Sequence, residues 1–209
     1  KAGLKLFLGS YPITPATDVL HELSKHKSLG VITVQCEDEI SGCATAIGAS
    51  FAGALAVTTT SGPGICLKSE AMNLAVITEL PLVVLNVQRG GPSTGLPTKS
   101  EQTDLLQALF GRNGESPMPV IAATSPTNCF DAAYAACKMA LEHMTPVVLL
   151  TDGFVANGSG AWKLPNLDTY PEIKPQYVTP EMKDNYTPYK RNPENQVRYW
   201  AIPGQEGYT

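Results

Sequence analysis

Six short apolar runs separated by stretches of helical spacing limit the folds open to this chain more than any other feature. The runs are Leu4 to Leu8, Val31 to Val34, Leu55 to Val57, Leu82 to Val87, Pro119 to Ala122 and Val147 to Leu150. They are apolar at successive positions rather than alternate ones, which predicts strands covered on both faces. Between them lie helix signals. Pro15 follows Thr14 as a residue at N1 follows an N-cap, and Val19, Leu20 and Leu23 then form a stripe. Ser125-Pro126 repeats the start signal, and Phe130, Tyr134, Cys137 and Leu141 recur at helical spacing. Repeated β-α units predict an α/β fold: a doubly wound, mainly parallel sheet with helices on both faces and right-handed crossovers. Ligands of such sheets bind at the carboxyl ends of the strands.

Composition removes several function classes. The 209 residues carry a net charge of -4, and the Lys and Arg residues are scattered, so no nucleic-acid surface is expected. No apolar stretch approaches a membrane span, because Val147 to Leu150 is short and flanked by Pro146 and Asp152. Cys36, Cys43, Cys66, Cys129 and Cys137 include no CxxC pair. Cys43, Cys129 and Cys137 sit among alanines and read as small buried hydrophobes. Free thiols in a reducing cytoplasm are expected, with no iron–sulfur cluster and no metal site on this chain.

After Asn157 the character changes. Residues 158–209 hold seven of 17 prolines, six of eight tyrosines and both tryptophans. This is too aromatic for a disordered tail. The expectation is an α/β domain over 1–157, followed over 158–209 by an extended C-terminal arm that lies on this domain or on a partner, or links to a missing domain. Lys1 leads straight into a strand and Gly207-Tyr208-Thr209 stops without a cap, so both ends read as cuts.

Residues 36–64 concentrate the unusual chemistry. Glu37, Asp38 and Glu39 open a helix built from Gly42, Cys43, Ala44, Ala46, Gly48 and Ala49. So thin a helix lets another backbone or a flat ring come close. The strand after it ends in Thr58-Thr59-Thr60-Ser61-Gly62-Pro63-Gly64. Two further loops leave strand ends. Tyr11-Pro12-Ile13-Thr14-Pro15 is a stiff turn into a helix. Gln88-Arg89-Gly90-Gly91-Pro92-Ser93-Thr94-Gly95-Leu96-Pro97-Thr98-Lys99 exposes backbone N–H groups, and its Arg89 is a fork-shaped cation suited to a carboxylate.

Glu39, nine residues before Gly48, resembles the Glu-then-small-helix pattern of thiamine diphosphate enzymes, and Thr-Ser-Gly-Pro-Gly resembles their next cofactor-side loop. The Tyr-Pro-Ile-Thr-Pro loop and the Gln88–Lys99 string, with Glu101-Gln102-Thr103-Asp104-Leu105-Leu106, resemble the alpha subunit of 2-oxoglutarate, or general 2-oxoacid,:ferredoxin oxidoreductases. The resemblance covers about residues 4–155 well and the arm more loosely, through Arg198 to Gly204.

This resemblance implies a pyrimidine-binding domain of the thiamine diphosphate fold. It makes Glu39 the catalytic acid on the aminopyrimidine, Thr60, Ser61 and Gly62 its neighbours, and Thr14, Arg89 and Thr98 the substrate-contacting set. Glu37 and Asp38 compete with Glu39, and only Glu39 has the family spacing to Gly48. The Gly-Asp-Gly…Asn-Asn diphosphate motif of the family is missing; Asp152-Gly153 has no such partner. The implied cofactor is therefore shared with a beta subunit in a hetero-oligomer, with Mg²⁺ and the iron–sulfur cluster on partner subunits. Ferredoxin, coenzyme A and a 2-oxoacid are the implied reactants. Two rivals stand beside this reading: a non-oxidative enzyme of the acetolactate synthase type, and a scaffold subunit that keeps the fold without catalysis. No Gly-x-Gly-x-x-Gly follows the first strand, which counts against a nicotinamide enzyme.

Overall fold

The structure is a computed structural model that describes residues 2–208. Lys1 and Thr209, read above as cut ends, lie outside the described residues. Six strands form one sheet: β1 (Leu6–Ser10), β2 (Ile32–Gln35), β3 (Leu55–Thr60), β4 (Leu82–Gln88), β5 (Val120–Ala122) and β6 (Pro146–Asp152). Their order is β2-β1-β3-β4-β6-β5, and every pairing is parallel. The winding reverses at β1, which has β2 on one side and β3 on the other. Side chains alternate between the two faces of the sheet. Leu82, Val84, Val148 and Leu150 point to one face, where α2 (Glu39–Phe51), α3 (Pro63–Leu67), α4 (Ser69–Ile77) and α5 (Leu105–Phe110) pack. Val83, Val147 and Leu149 point to the other, against α6 (Cys129–His143). The helices α1 (Thr17–Ser24) and α7 (Gly153–Asn157) complete that second layer. Each fully buried aliphatic side chain contributes roughly 1.5–3 kcal/mol.

Three local expectations are corrected. The first helix starts at Thr17 with Ala16 as its N-cap, not at Pro15 with Thr14 as cap. The Thr14–Pro15 peptide is cis, and the Thr14 carbonyl accepts from Arg89 instead of opening the helix. On α6 the face turned to the sheet is Ala132, Ala136 and Ala140. Phe130 and Tyr134 turn instead to Trp162 and Tyr170 of the arm. Cys129 and Cys137 are only partly buried, unlike Cys43, and of the two Cys137 packs against the sheet cluster.

Residues 158–208 hold two short 3-10 turns and no ladder strand. They are nevertheless packed. Trp200 is fully buried, stacks on Tyr177, and shares a cluster with Leu141, Met144, Ile173 and Val197. Arg198 donates to the Thr78 carbonyl, and Arg191 pairs with Glu79. The end of α4 thus receives both arginines. Among the described residues no helix is long and apolar enough to cross a membrane.

Candidate active site

The loops after β1, β3, β4 and β6 leave the same edge of the sheet, where α2 also begins. Asp38 is the N-cap of α2: its carboxylate accepts from Ser41 N at 2.7 Å, and Ser41 returns the bond in a capping box. Those bonds hold the exposed Asp38 carboxyl below its ordinary range. Glu37 is exposed as well. Glu39, one residue further, is buried at 7% exposure. Of the three acidic residues, Asp38 is occupied in capping, Glu37 lies in solvent, and Glu39 faces the protein.

The thinness of α2 is used against β1. A Cβ at Gly9 would stand 2.5 Å from the Gly42 carbonyl oxygen, and one at Gly42 would stand 3.1 Å from Ser10 Cα. Helix and strand therefore meet backbone to backbone, which aims the first turn of α2 at the strand ends. Gly48 does no such work. It is exposed with nothing within 4 Å, so the Glu39–Gly48 spacing marks no contact within this chain.

The turn after β3 joins the candidate residues. A Cβ at Gly64 would meet Thr60 Oγ1 at 2.0 Å and Glu39 Cγ at 2.9 Å. Glycine is required here because the Glu39 side chain lies against the backbone. Gly62 has φ +52°, and a Cβ there would meet Arg89 Nε at 2.9 Å. The buried hydroxyls of Thr60 and Ser61 have no partner among the described residues. Buried hydroxyls ordinarily find one. This is the pattern expected of groups that meet a polar ring, and it suits an aminopyrimidine beside the Glu39 carboxyl.

Arg89 is buried at 6% exposure. Its Nη1 donates to the Thr14 carbonyl and its Nη2 to the Thr94 carbonyl, each at 2.7 Å, while Nε has no partner among the described residues. It therefore clamps the β1 loop to the β4 loop and keeps three of its five N–H donors. Thr14 and Thr98 are exposed and line one cleft of ≈ 580 Å³, with Ser100, Phe154 and Asn157. Arg89 lines a second cleft of ≈ 600 Å³, with Gly62, Pro63 and Cys66. Of the three residues grouped as one set, Arg89 is bonded to the Thr14 main chain and Thr98 shares a cleft with Thr14, but the three do not line a single cavity.

Residues to which the sequence reading gave no role hold this edge together. Gln88 accepts from Asp104 N at 2.9 Å, Asn86 donates to Asp104 at 2.9 Å, and Gln102 donates to Asp152 at 2.7 Å. These bonds pin the 89–104 loop to β4 and β6. Ser10 meets Thr59 Oγ1 at 2.7 Å and ties β1 to β3. Lys68 is fully buried beneath Glu39 and Thr58. Its spacing from Gly64, Met72 and Ala75 carried the signal, because all four fall on the buried side of α3 and α4. Among the described residues no cluster of His, Cys, Asp and Glu is placed to hold a metal ion.

The class of protein follows from this arrangement: a parallel α/β domain whose strand-end loops gather a buried glutamate, two orphan hydroxyls and a clamped arginine. Residues 2–204 match the family described as pyruvate flavodoxin/ferredoxin oxidoreductase, thiamine diphosphate-binding, and the chain belongs to that family. It is 58% identical over 206 residues to the 2-oxoglutarate oxidoreductase subunit KorA of Mycobacterium tuberculosis, covering 99% of this chain and 31% of that protein. It is 42% identical over 167 residues to the 2-oxoglutarate synthase subunit KorA of Archaeoglobus fulgidus, covering 79% of this chain and 48% of that protein. A solved 2-oxoglutarate:ferredoxin oxidoreductase from Magnetococcus marinus, with 2-oxoglutarate, coenzyme A and succinyl-CoA bound, superposes with a TM-score of 0.88 at 36% identity. That match covers 99% of this chain and 36% of the other. The chain spans about a third to a half of the length of these relatives.

Proposed function

We propose that this chain is the pyrimidine-binding part of a 2-oxoacid:ferredoxin oxidoreductase. The reaction is oxidative decarboxylation of a 2-oxoacid, 2-oxoglutarate first, to the acyl-CoA, with ferredoxin reduced. The observation that carries the reading is the buried Glu39 carboxyl against Gly64, beside the unpartnered hydroxyls of Thr60 and Ser61. Glu39, Thr60, Ser61 and Gly62 would hold the aminopyrimidine. Thiamine diphosphate, when bound, supplies the carbon nucleophile and the electron sink for loss of CO₂. Glu39 exchanges a proton with ring atom N1′, and its burial keeps water from competing for that proton. Arg89 and the Thr14 main chain form a rigid wall at the strand ends, and the remaining Arg89 N–H groups suit a substrate carboxylate. Thr98 stands across the neighbouring cleft from Thr14. A beta subunit carrying the diphosphate half-site, Mg²⁺ and an iron–sulfur cluster completes the enzyme. The relatives support this reading, since they are named as a 2-oxoglutarate oxidoreductase subunit, a 2-oxoglutarate synthase subunit and a 2-oxoglutarate:ferredoxin oxidoreductase.

The test is ferredoxin reduction by the assembled complex with coenzyme A and a panel of 2-oxoacids. Reduction dependent on both coenzyme A and 2-oxoglutarate is expected. Release of CO₂ without ferredoxin reduction would move the assignment to the acetolactate synthase type, and no reaction with any 2-oxoacid would leave the scaffold role.

A further inference from the structure

Lys68 is a buried charged group to which the proposed chemistry gives no task. It lies where α3 meets α4, at 0% exposure. Removing an ammonium from water is costly unless it is paired. Its Nζ donates to the main-chain carbonyl of Glu39 at 2.8 Å and to Thr58 Oγ1 at 3.0 Å. Among the described residues no ion pair offsets the charge. An apolar side chain of the same length would fill this space at less cost, so packing does not account for the ammonium. Its two acceptors do. One is the residue proposed to touch the ring. The other lies two residues before Thr60 on β3, on the same face of the strand.

We propose that Lys68 is a positioning residue for Glu39: its ammonium, bonded to the Glu39 carbonyl and to Thr58 of β3, holds the Glu39 main chain against the strand and so fixes where the first turn of α2 presents the Glu39 side chain. The inference rests on the reading of Glu39 as the group that exchanges a proton with the cofactor. The titratable groups that face Lys68 are Cys43 and Glu39 on α2, with Cys36 and Asp38 in the segment leading into it. Glu70 of α4 faces Cys43. Burial pushes the Cys43 thiol up to about 11, so it stays neutral near pH 7. Asp38 and Glu70 are exposed to solvent, so their fields are screened. Glu39 is the buried carboxyl that remains. Burial draws the Lys68 ammonium down, and its neighbours, Cys43 and Glu39 foremost, draw it back up.

The experiment is amide hydrogen exchange over the first turn of α2 in the assembled complex without thiamine diphosphate, beside exchange of the C2 proton with cofactor bound. Lys68→Met leaves the Glu39 carbonyl and the Thr58 hydroxyl without their donor. It is expected to lower protection over that turn and to slow C2 exchange about tenfold, with KM for the 2-oxoacid in place. Lys68→Arg, which keeps the donors, is expected to restore both. Wild-type protection and wild-type C2 exchange in Lys68→Met overturn the proposal. If Lys68→Met does not assemble, Thr58→Val, which removes the strand acceptor alone, decides: slowed C2 exchange supports the proposal and wild-type exchange overturns it. A Glu39→Gln complex with full activity would instead overturn the reading of Glu39. Wild-type behaviour of Lys68→Met beside an inactive Glu39→Gln complex removes only the role of Lys68.

Discussion

At the scale of single residues, burial and neighbours separate side chains that look alike in the sequence. Glu37, Asp38 and Glu39 are consecutive carboxylates, yet one is solvated, one caps a helix and one is buried. Arg89 differs from a surface arginine because two of its N–H groups are fixed on the carbonyls of Thr14 and Thr94. Arg89→Lys keeps the charge and loses the fork, and an ammonium cannot span both carbonyls and a substrate. We predict a loss in kcat/KM of roughly 1–3 kcal/mol, with C2 proton exchange unchanged, because that step uses Glu39 and no substrate. Steady-state kinetics beside an exchange assay checks this; a normal kcat/KM means Arg89 only clamps loops. The buried thiols make a separate prediction for stability. Burial pushes Cys43 and Cys137 up to about 11 from 9.0. Both are raised above the unfolded value, so the neutral thiols contribute their full stability below pH 9 and lose it as pH rises toward 11. Each thiol should then lose about 1.4 kcal/mol per pH unit across that window. Denaturant titrations of the wild type and of Cys43→Ala/Cys137→Ala should converge in slope against pH below 9 and separate above it. Parallel curves to pH 11 would show that the thiols are not linked to unfolding.

At the scale of elements, glycine position decides sign. Gly48 was read from the sequence as part of the thin face of α2, but the close contact is made by Gly42 and by Gly9 of β1. A Cβ at Gly9 strikes the Gly42 carbonyl and Thr45 Oγ1, both at 2.5 Å, whereas Gly48 faces open space. Gly9→Ala should destabilise by about 1–3 kcal/mol through overpacking. Gly48→Ala should stabilise by about 0.5–1 kcal/mol, because alanine is the better residue inside a helix. Chemical denaturation of the two variants checks both signs; equal effects would mean that α2 does not pack on β1 by backbone contact. These elements also show what could be read beforehand. All six strands were legible, because runs apolar on both faces have few other uses. The Thr58–Thr60 extension of β3 and the late start of α1 were not. Threonines end a strand or begin a turn with equal ease, and Thr14 gives its carbonyl to a side chain 75 residues away. The stripe on α6 was read from helical spacing: Cys137 packs with the alanines against the sheet and Leu141 is fully buried, whereas Phe130 and Tyr134 pack on the arm. Within the candidate site, Glu39, Thr60 and Gly62 were visible as motif residues. Gln102 and Asp104 were visible only as members of a family string without a role, and Lys68 was not singled out, since their partners lie on other elements of the fold.

At the scale of the whole molecule, the loops of one sheet edge converge on a half-site. Glu39, Gly64, Gly62, Arg89 and Thr14 follow one another through direct contacts across α2, the β3 turn and the β4 and β1 loops. The arm seals the opposite end of α4 and α6 around Trp200 and leaves that edge open. Nothing within this chain resembles the diphosphate motif, so on the proposed reading a second chain closes the site. The measurement that tests the central claim most directly is exchange of the thiamine diphosphate C2 proton in the assembled complex, wild type against Glu39→Gln, with bound cofactor quantified in both. We predict that Glu39→Gln binds cofactor and assembles as the wild type does, while exchange falls on the order of 10²–10⁴-fold. Glu37→Gln should exchange at the wild-type rate, and the isolated chain should not accelerate exchange over free cofactor. Wild-type exchange in Glu39→Gln, or loss of exchange in Glu37→Gln instead, would contradict the assignment of the buried carboxyl and with it the placement of the half-site.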